Sequence, residues 1–236
     1  MQRYVDSTRM GHVNHGWLDS FFHFSFAEYY NPDNIQFGVL RVINDDIVRP
    51  NTGFEMHPHK DMEVISYVVE GELSHKDSMG NEHTLTRGQV QYMSAGTGIF
   101  HSEHNWGDKP LRFIQMWILP NKEGLTPNYG DYRFKFEDRI DAWMPIATSV
   151  GNAENDAPIK IHADANVYAS VLTQGKTTEF KVEKDRQAYL VLLEGKVIVN
   201  GDVQLSARDA LEIIEEDITI TADQESHLYL IEMQKS

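Results

Sequence analysis

The chain has 236 residues, of which 36 are acidic and 21 basic, so its net charge at neutral pH is −15. Such an acidic chain is not expected to bind a nucleic-acid backbone or an anionic membrane surface. It contains no cysteine, which excludes disulfides, thiolate metal ligands and thiol nucleophiles. Residues 1–10 lack the apolar stretch of a secretion signal, and no apolar run approaches the roughly 20 residues that span a bilayer, so we expect a cytoplasmic protein without a membrane partner.

Strand signals dominate the sequence. Short runs rich in β-branched and aromatic residues alternate with turn residues, and in chain order these runs are 39–43, 64–69, 113–119, 189–193, 197–199 and 228–231. Asn200-Gly201, between two apolar runs, predicts a type I′ hairpin. No long segment keeps a helical period of 3.6 residues. The predicted fold class is therefore all-β, a sandwich or barrel.

An internal repeat predicts two copies of one β unit. Residues 67–72, Tyr-Val-Val-Glu-Gly-Glu, resemble residues 191–196, Val-Leu-Leu-Glu-Gly-Lys. We therefore predict an N-terminal domain of residues 1–130 and a C-terminal domain of residues 131–236. The stretch 121–158, with three prolines and no clear period, is interpreted as the connection, with short helical or strand pieces.

Two histidine motifs indicate a metal site. His57-Pro58-His59 and His101-Ser102-Glu103 each place two side chains on one face of a strand, because that spacing is the period of a strand. Two adjacent antiparallel strands would bring all four side chains together. A single His-x-His is more often a surface pair, but the second motif makes a metal site the favoured interpretation. Three imidazoles and one carboxylate suit a divalent first-row metal.

Longer motifs resemble a known family. Gly53, His57, His59, Glu63 and Gly71, followed by Gly88, Gly96, Gly98, His101 and Asn105, resemble the two motifs of the cupin superfamily. Short sequence segments resemble bacterial members of the pirin family; they are residues 16–20, 24–27, 40–46, 57–63, 75–81, 94–98, 101–103 and 116–120. This resemblance implies a two-domain bicupin, each domain a β-barrel or jelly-roll sandwich, with metal in the N-terminal domain.

The resemblance also implies a site and a reaction. It assigns the metal ligands to His57, His59, His101 and Glu103. It favours Fe(II), although Cu, Zn, Mn, Ni and Co are also compatible with these ligands. Bacterial pirins are associated with quercetin 2,3-dioxygenase activity, which implies a flavonol-like aromatic substrate and O₂, with release of carbon monoxide. In that reaction Glu103 would be the catalytic base that takes the proton of the flavonol 3-hydroxyl.

Glu63 is the alternative fourth ligand, because many cupins use a glutamate at the corresponding position. Its strand parity matches that of His57 and His59. Four residues of straight strand separate it from His59, about 13 Å at about 3.3 Å per residue, so only a bend could bring both to one metal. We therefore prefer Glu103 and interpret Glu63 as a structural acid or a support for the ligands.

Two other functions remain open from the sequence. One is a metal-binding regulatory pirin that binds a protein partner without dedicated turnover. The other is a non-redox cupin, such as an isomerase. Aligning the two repeats places Lys181 and Glu183 where the first repeat has His57 and His59, so the C-terminal cupin is predicted to be a degenerate copy without metal.

The aromatic residues near the N-terminus are expected to pack rather than to bind. We predict that they belong to the core or to packing between domains rather than to a substrate platform; they are Trp17, Phe21, Phe22, Phe24 and Phe26.

Overall fold

A computed structural model describes residues 1–153 and 155–235, and nearly all regular structure in it is β. The strands are β1 Gln2–Val5, β2 Gly11–Asn14, β3 Leu18–Phe22, β4 Leu40–Val48, β5 Thr52–His59, β6 Glu63–Glu70, β7 Glu72–Asp77, β8 Glu82–Thr86, β9 Val90–Ser94, β10 Ile99–Asn105, β11 Leu111–Ile118, β12 Asn128–Tyr132, β13 Met144–Ser149, β14 Ile159–Ile161, β15 Ala165–Leu172, β16 Thr177–Phe180, β17 Arg186–Glu194, β18 Lys196–Val199, β19 Val203–Ser206, β20 Ala210–Ile214, β21 Ile218–Ala222 and β22 Ser226–Gln234. Two short 3₁₀ turns cover Ser7–Arg9 and Phe136–Arg139. Within the described ranges, no helix has the length and apolarity to cross a bilayer.

The predicted strands are confirmed. Each of the six predicted runs overlaps an observed strand, in order β4, β6, β11, β17, β18 and β22. Asn200 and Gly201 connect β18 to β19 with φ values of 49° and 81°. Positive φ at both central residues is what a type I′ turn requires, so the hairpin prediction is also confirmed. Local sequence was sufficient here because strand propensity and turn chemistry depend on near neighbours.

The chain forms two compact units, Gly11–Lys135 and a second unit that joins Met1–Met10 to Phe136–Ser236. This division differs from the predicted one at both ends of the first unit. The first ten residues belong to the second unit because β1 pairs antiparallel with β20, with Gln2 opposite Ile213. β12 stays with the first unit because it pairs with β9. The predicted connecting stretch contains β12, β13 and the second 3₁₀ turn.

The unit Gly11–Lys135 is a sandwich of a seven-stranded and a four-stranded sheet. The strand orders are β12-β9-β6-β11-β4-β3-β2 and β5-β10-β7-β8. Val68 and Phe113 from the larger sheet pack with Leu73 and Leu85 from the smaller one, and all four are fully buried. Complete burial of a side chain of this size stabilises the fold by about 1.5–3 kcal/mol.

The unit formed by Met1–Met10 and Phe136–Ser236 has the same layout, as the internal repeat in the sequence predicted. Its sheets have the orders β1-β20-β17-β22-β15-β13-β14 and β16-β21-β18-β19. Leu190, Leu192, Leu228 and Leu230 lie in its core with no exposed surface. The predicted all-β fold of two sandwich domains is therefore confirmed.

Candidate metal centre

Three histidines converge where β5 and β10 pair. The strands are antiparallel and place His57 directly opposite His101, while His59 follows two residues along β5. The three ring centroids are 4.5–5.0 Å apart. One ring nitrogen from each histidine can be chosen so that all three lie within 4.8 Å of one another. The two histidine motifs thus lie on neighbouring antiparallel strands, which bring His57, His59 and His101 together.

The three imidazoles fit a metal ion. His59 Nε2 and both ring nitrogens of His101 are buried and have no hydrogen-bond partner among the described residues. Burial, reinforced by the neighbouring imidazoles, lowers the pKa of both histidines to about 3, so both rings are neutral at pH 7. Buried nitrogens without partners are costly, and a divalent cation would satisfy them.

His57 is oriented by its backbone surroundings. Its Nδ1 lies 2.7 Å from the carbonyl oxygen of Glu55. When Nδ1–H donates to this carbonyl, the lone pair of Nε2 is left for a metal, which is the arrangement common around ligating histidines. The donor chemistry of the three histidines therefore fits a divalent first-row metal.

Glu103 lies in a polar network beside the histidines. It is buried, two residues after His101, and it is not a member of the close three-histidine group. Its Oε1 accepts hydrogen bonds from Ser66 Oγ at 2.9 Å and Gln91 Nε2 at 2.6 Å. Its Oε2 accepts one from Gln115 Nε2 at 2.6 Å. Three side-chain donors thus hold this carboxylate in a single orientation.

Glu63 occupies a different environment. It lies on β6, in the larger sheet, and its Oε1 accepts a hydrogen bond from Ser94 Oγ at 2.8 Å. It is also fully buried and outside the close three-histidine group. Both carboxylates are therefore buried and lie outside the close three-histidine group.

Several neighbours of the site were not anticipated. Ser66, Gln91 and Gln115 carry no recognisable signal, because each is an isolated polar residue with apolar or aromatic neighbours on both sides in the sequence. The ring of His75 lies 5.4 Å from that of His101 and stacks on Tyr129 at 4.4 Å. His75 and Asp77 are two residues apart on β7 and share a strand face, and this spacing is the sequence signal that could have placed His75 near the site.

A cavity of about 700 Å³ borders the three-histidine group on the side of His57 and His59. Its wall includes His57, His59 and Trp117, and the Trp117 ring meets the His59 ring edge-on at 4.8 Å. This volume is in the range of sites for small organic ligands. The expectation that the N-terminal aromatic residues only pack holds for Phe24, which is buried in the core, but it is incomplete for others. The cavity is also lined by Trp17, Phe22 and Phe26.

Comparison with known proteins identifies the family. The family model described as Pirin matches residues 4–118, and the one described as Quercetinase C-terminal cupin domain matches residues 149–233. A pirin-like protein of Caulobacter vibrioides is 44% identical over 225 residues, which cover 95% of this chain and 96% of that protein. The chain belongs to the pirin family.

Solved pirin structures match the fold throughout. This pirin is 41% identical over 225 residues to a protein of Escherichia coli named quercetin 2,3-dioxygenase, with 94% of each chain covered. The crystal structure of YhhW from Escherichia coli matches with a TM-score of 0.92 and 38% identity, covering 100% of this chain and 99% of that chain. A second structure, of the bacterial pirin YhhW in complex with nickel(II), matches with a TM-score of 0.91, 37% identity and full coverage of both chains. The resemblance inferred from sequence motifs and the bicupin fold are confirmed.

Gly53 sets the spacing between the two strands that carry the histidines. A Cβ at this position would lie 2.3 Å from the backbone oxygen of Glu103 and 2.5 Å from the Cα of His104. Gly53→Ala is therefore expected to push β5 away from β10, to destabilise this pirin by about 1–3 kcal/mol and to weaken metal binding at least tenfold. Urea unfolding and calorimetric titration with Ni(II) measure the two effects.

A matched control for Gly53→Ala is Gly130→Ala on β12. The nearest atom to a Cβ there belongs to the ring of Tyr132, at 3.3 Å, rather than to backbone. Gly130→Ala should leave Ni(II) affinity unchanged. Wild-type affinity in Gly53→Ala would show that this close strand contact does not determine the geometry of the site.

The metal-free pirin is expected to lose stability in acid. His59 and His101 titrate near pH 3 in the folded state, whereas histidines in an unfolded chain titrate near 6.5. Above about pH 6.5 both rings are neutral in both states. As the pH falls from 6.5 toward 3, only the unfolded state gains protons, so the free energy of unfolding should fall by about 1.4 kcal/mol per pH unit for each histidine.

Urea unfolding of the metal-free protein between pH 7 and pH 5 measures this dependence. His101→Gln removes one of the two titrating groups, so its stability should fall less steeply with acidification than that of the wild type. Equal slopes for the two proteins would contradict the assignment of a low pKa to His101.

Proposed function

We propose that this pirin is a mononuclear metal-dependent dioxygenase that cleaves a flavonol such as quercetin with O₂. The observation that carries the proposal is the position of the three histidines. Their close group borders a cavity large enough for a small organic molecule and partly walled by aromatic rings. The names of the relatives and the nickel(II) complex of an Escherichia coli pirin support both the reaction and the metal.

His57, His59 and His101 would hold the metal, with Glu103 as the fourth ligand. When bound, a divalent metal supplies Lewis acidity that lowers the pKa of the flavonol 3-hydroxyl, and a redox-active ion also supports electron transfer to O₂. Fe(II) is the ion proposed for this chain, although the mixed nitrogen and oxygen donors also suit Ni, Cu, Mn, Co and Zn. Glu103 is preferred over Glu63 because it lies two residues from His101 on the same strand.

Glu103 would also serve as the base. Its carboxylate is held by Ser66, Gln91 and Gln115, so it is oriented before the substrate arrives. In the proposed reaction a Glu103 oxygen accepts the proton of the 3-hydroxyl, and the aromatic wall of the cavity holds the flat substrate and excludes water. The Gln115 side chain links the cavity wall to Glu103. Its Oε1 accepts a hydrogen bond from Trp117 Nε1 at 3.3 Å, and its Nε2 donates to Glu103.

Quercetin turnover by the Fe(II)-loaded protein in air tests the proposal. Loss of flavonol absorbance should accompany O₂ consumption and release of carbon monoxide. The His57→Ala/His59→Ala double variant should bind no iron and show no turnover above the uncatalysed rate.

A failure of the iron-loaded protein to turn over quercetin would change the functional assignment. Absence of turnover by protein that contains one iron per chain would overturn the quercetinase assignment. A regulatory pirin that binds metal and a protein partner would then be the better interpretation, with the metal site retained.

A further inference from the structure

One wall of the cavity carries a buried polar stripe, formed by Ser20, Asn44 and Asp46. Ser20 on β3 lies directly opposite Asp46 on β4, and Asn44 lies two residues before Asp46 on the same face. All three residues line the cavity and are at most 3% exposed. They interrupt a wall that is otherwise largely aromatic and aliphatic.

Asp46 and its neighbour Asp45 have opposite environments. Asp45 points to the other face of β4 and forms a bidentate ion pair with Arg112, with distances of 2.8 and 2.6 Å. Asp46 points toward the cavity and forms no ion pair with any described residue. The carboxyl group on the cavity side is thus buried without a cation to balance it.

The polar stripe has hydrogen-bonding capacity that the described residues do not use. Ser20 Oγ donates to Asp46 Oδ1. No described residue donates to Asn44 Oδ1, although this atom is buried. Buried polar groups are normally paired, because an unpaired one costs about 1–3 kcal/mol in general. A polar group placed in the wall of a ligand-sized cavity is therefore suited to pair with a ligand.

We propose that the polar stripe recognises a ring hydroxyl or carbonyl of the substrate other than the oxygens that reach the histidines, so that the site selects uncharged aromatics with several oxygen substituents. This inference rests on the proposed function, since it concerns the same cavity. Asp46 and Asn44 together offer donors and acceptors on one face, which can pair with a phenolic hydroxyl or with a carbonyl.

The protonation of Asp46 agrees with an uncharged ligand. Burial raises the pKa of Asp46 to about 8, and the charges of Asp45 and Glu103 act in the same direction, against the hydrogen bond from Ser20. At pH 7 the side chain is then mostly a neutral acid that can donate to a substrate oxygen. A cationic ligand would gain little from such a group.

Two flavonols that share the metal-binding oxygens test the inference. Quercetin and 3-hydroxyflavone both carry the 3-hydroxyl and its neighbouring carbonyl, but only quercetin has further ring hydroxyls. Binding of both to Ni(II)-loaded protein under nitrogen is measured by calorimetry. The wild type should bind quercetin at least about tenfold more tightly, which corresponds to one net hydrogen bond.

The decisive variant is Asp46→Leu. It should bind 3-hydroxyflavone as the wild type does and lose the preference for quercetin. Asp46→Asn, which keeps hydrogen-bonding capacity, should retain part of the preference and serves if the leucine variant does not fold. The matched control is Asp45→Asn, the same change on the opposite face of β4, and it should keep the full preference.

Two results would overturn the inference, and they are distinguishable. If both Asp46 variants keep the full preference, the polar stripe does not select substrates while the proposed function stands. If neither flavonol binds the Ni(II)-loaded wild type, the proposed function fails and the inference fails with it.

Discussion

Replacing His101 with alanine is expected to abolish metal binding and, with it, turnover. His101 lies opposite His57 across the β5–β10 pair. The centroids of the His101 and His59 rings are 4.8 Å apart. Loss of one imidazole leaves two ligating histidines on β5. Because loss of a group that merely supports a ligand costs about 10–100-fold in affinity, loss of the ligand itself should cost at least 100-fold. Metal content after dialysis against a weak chelator, measured by elemental mass spectrometry, gives the result.

His104→Ala is the matched control for His101→Ala. His104 is on the same strand but stacks on Trp106 at 4.6 Å, away from the three-histidine group. Its replacement should leave metal content and turnover unchanged. A full complement of metal in His101→Ala would mean that the three histidines do not form the binding site.

Glu103→Gln is expected to reduce kcat/KM for quercetin by about 10²–10⁴-fold and to weaken metal binding, because Glu103 is both the proposed base and the proposed fourth ligand. The substitution removes the base, whose general contribution is of that size, but leaves the three imidazoles in place. The substitution also replaces one carboxylate oxygen, which accepts hydrogen bonds, with an amide nitrogen, which donates them. Gln91 and Gln115 donate to this carboxylate from amide nitrogens at 2.6 Å, so one donor would then face another. The resulting mismatch should lower the free energy of unfolding by about 1–3 kcal/mol.

Glu63→Gln separates the two candidate carboxylates. Glu63 accepts a hydrogen bond from Ser94 in the larger sheet, so its replacement should have a smaller effect on kcat/KM than that of Glu103. Steady-state kinetics and metal content are measured for both variants in parallel. If Glu63→Gln loses the metal and Glu103→Gln keeps both metal and activity, the assignment of the fourth ligand and base must be exchanged.

The histidine site was largely predictable because strand geometry is local. The spacing of His57 and His59 places both on one face, whatever the rest of the chain does. The sequence could not show that β5 lies beside β10 with His57 opposite His101. That register depends on pairing between segments far apart in the chain, and the family motifs rather than the spacing suggested it.

The surroundings of Glu103 were not predictable from the same rules. Ser66, Gln91 and Gln115 come from β6, β9 and β11, and in the sequence each stands between two apolar or aromatic residues. They meet at Glu103 because three neighbouring strands of the larger sheet present the same face to it. Hydrogen bonds of this kind are visible only when the sheet order and register are known.

The amino-acid sequence by itself determined the strands, the repeat of one β unit and the side chains that share a strand face, because these follow from propensity and a two-residue period. Only the tertiary structure decided that Asp45 meets Arg112 while the next residue, Asp46, meets a cavity. The tertiary structure was also needed to show that β1 pairs with β20 and so belongs to the sheet of the second unit. Alternation along a strand is a local property, whereas the environment of each face is created by strands that are distant in the chain.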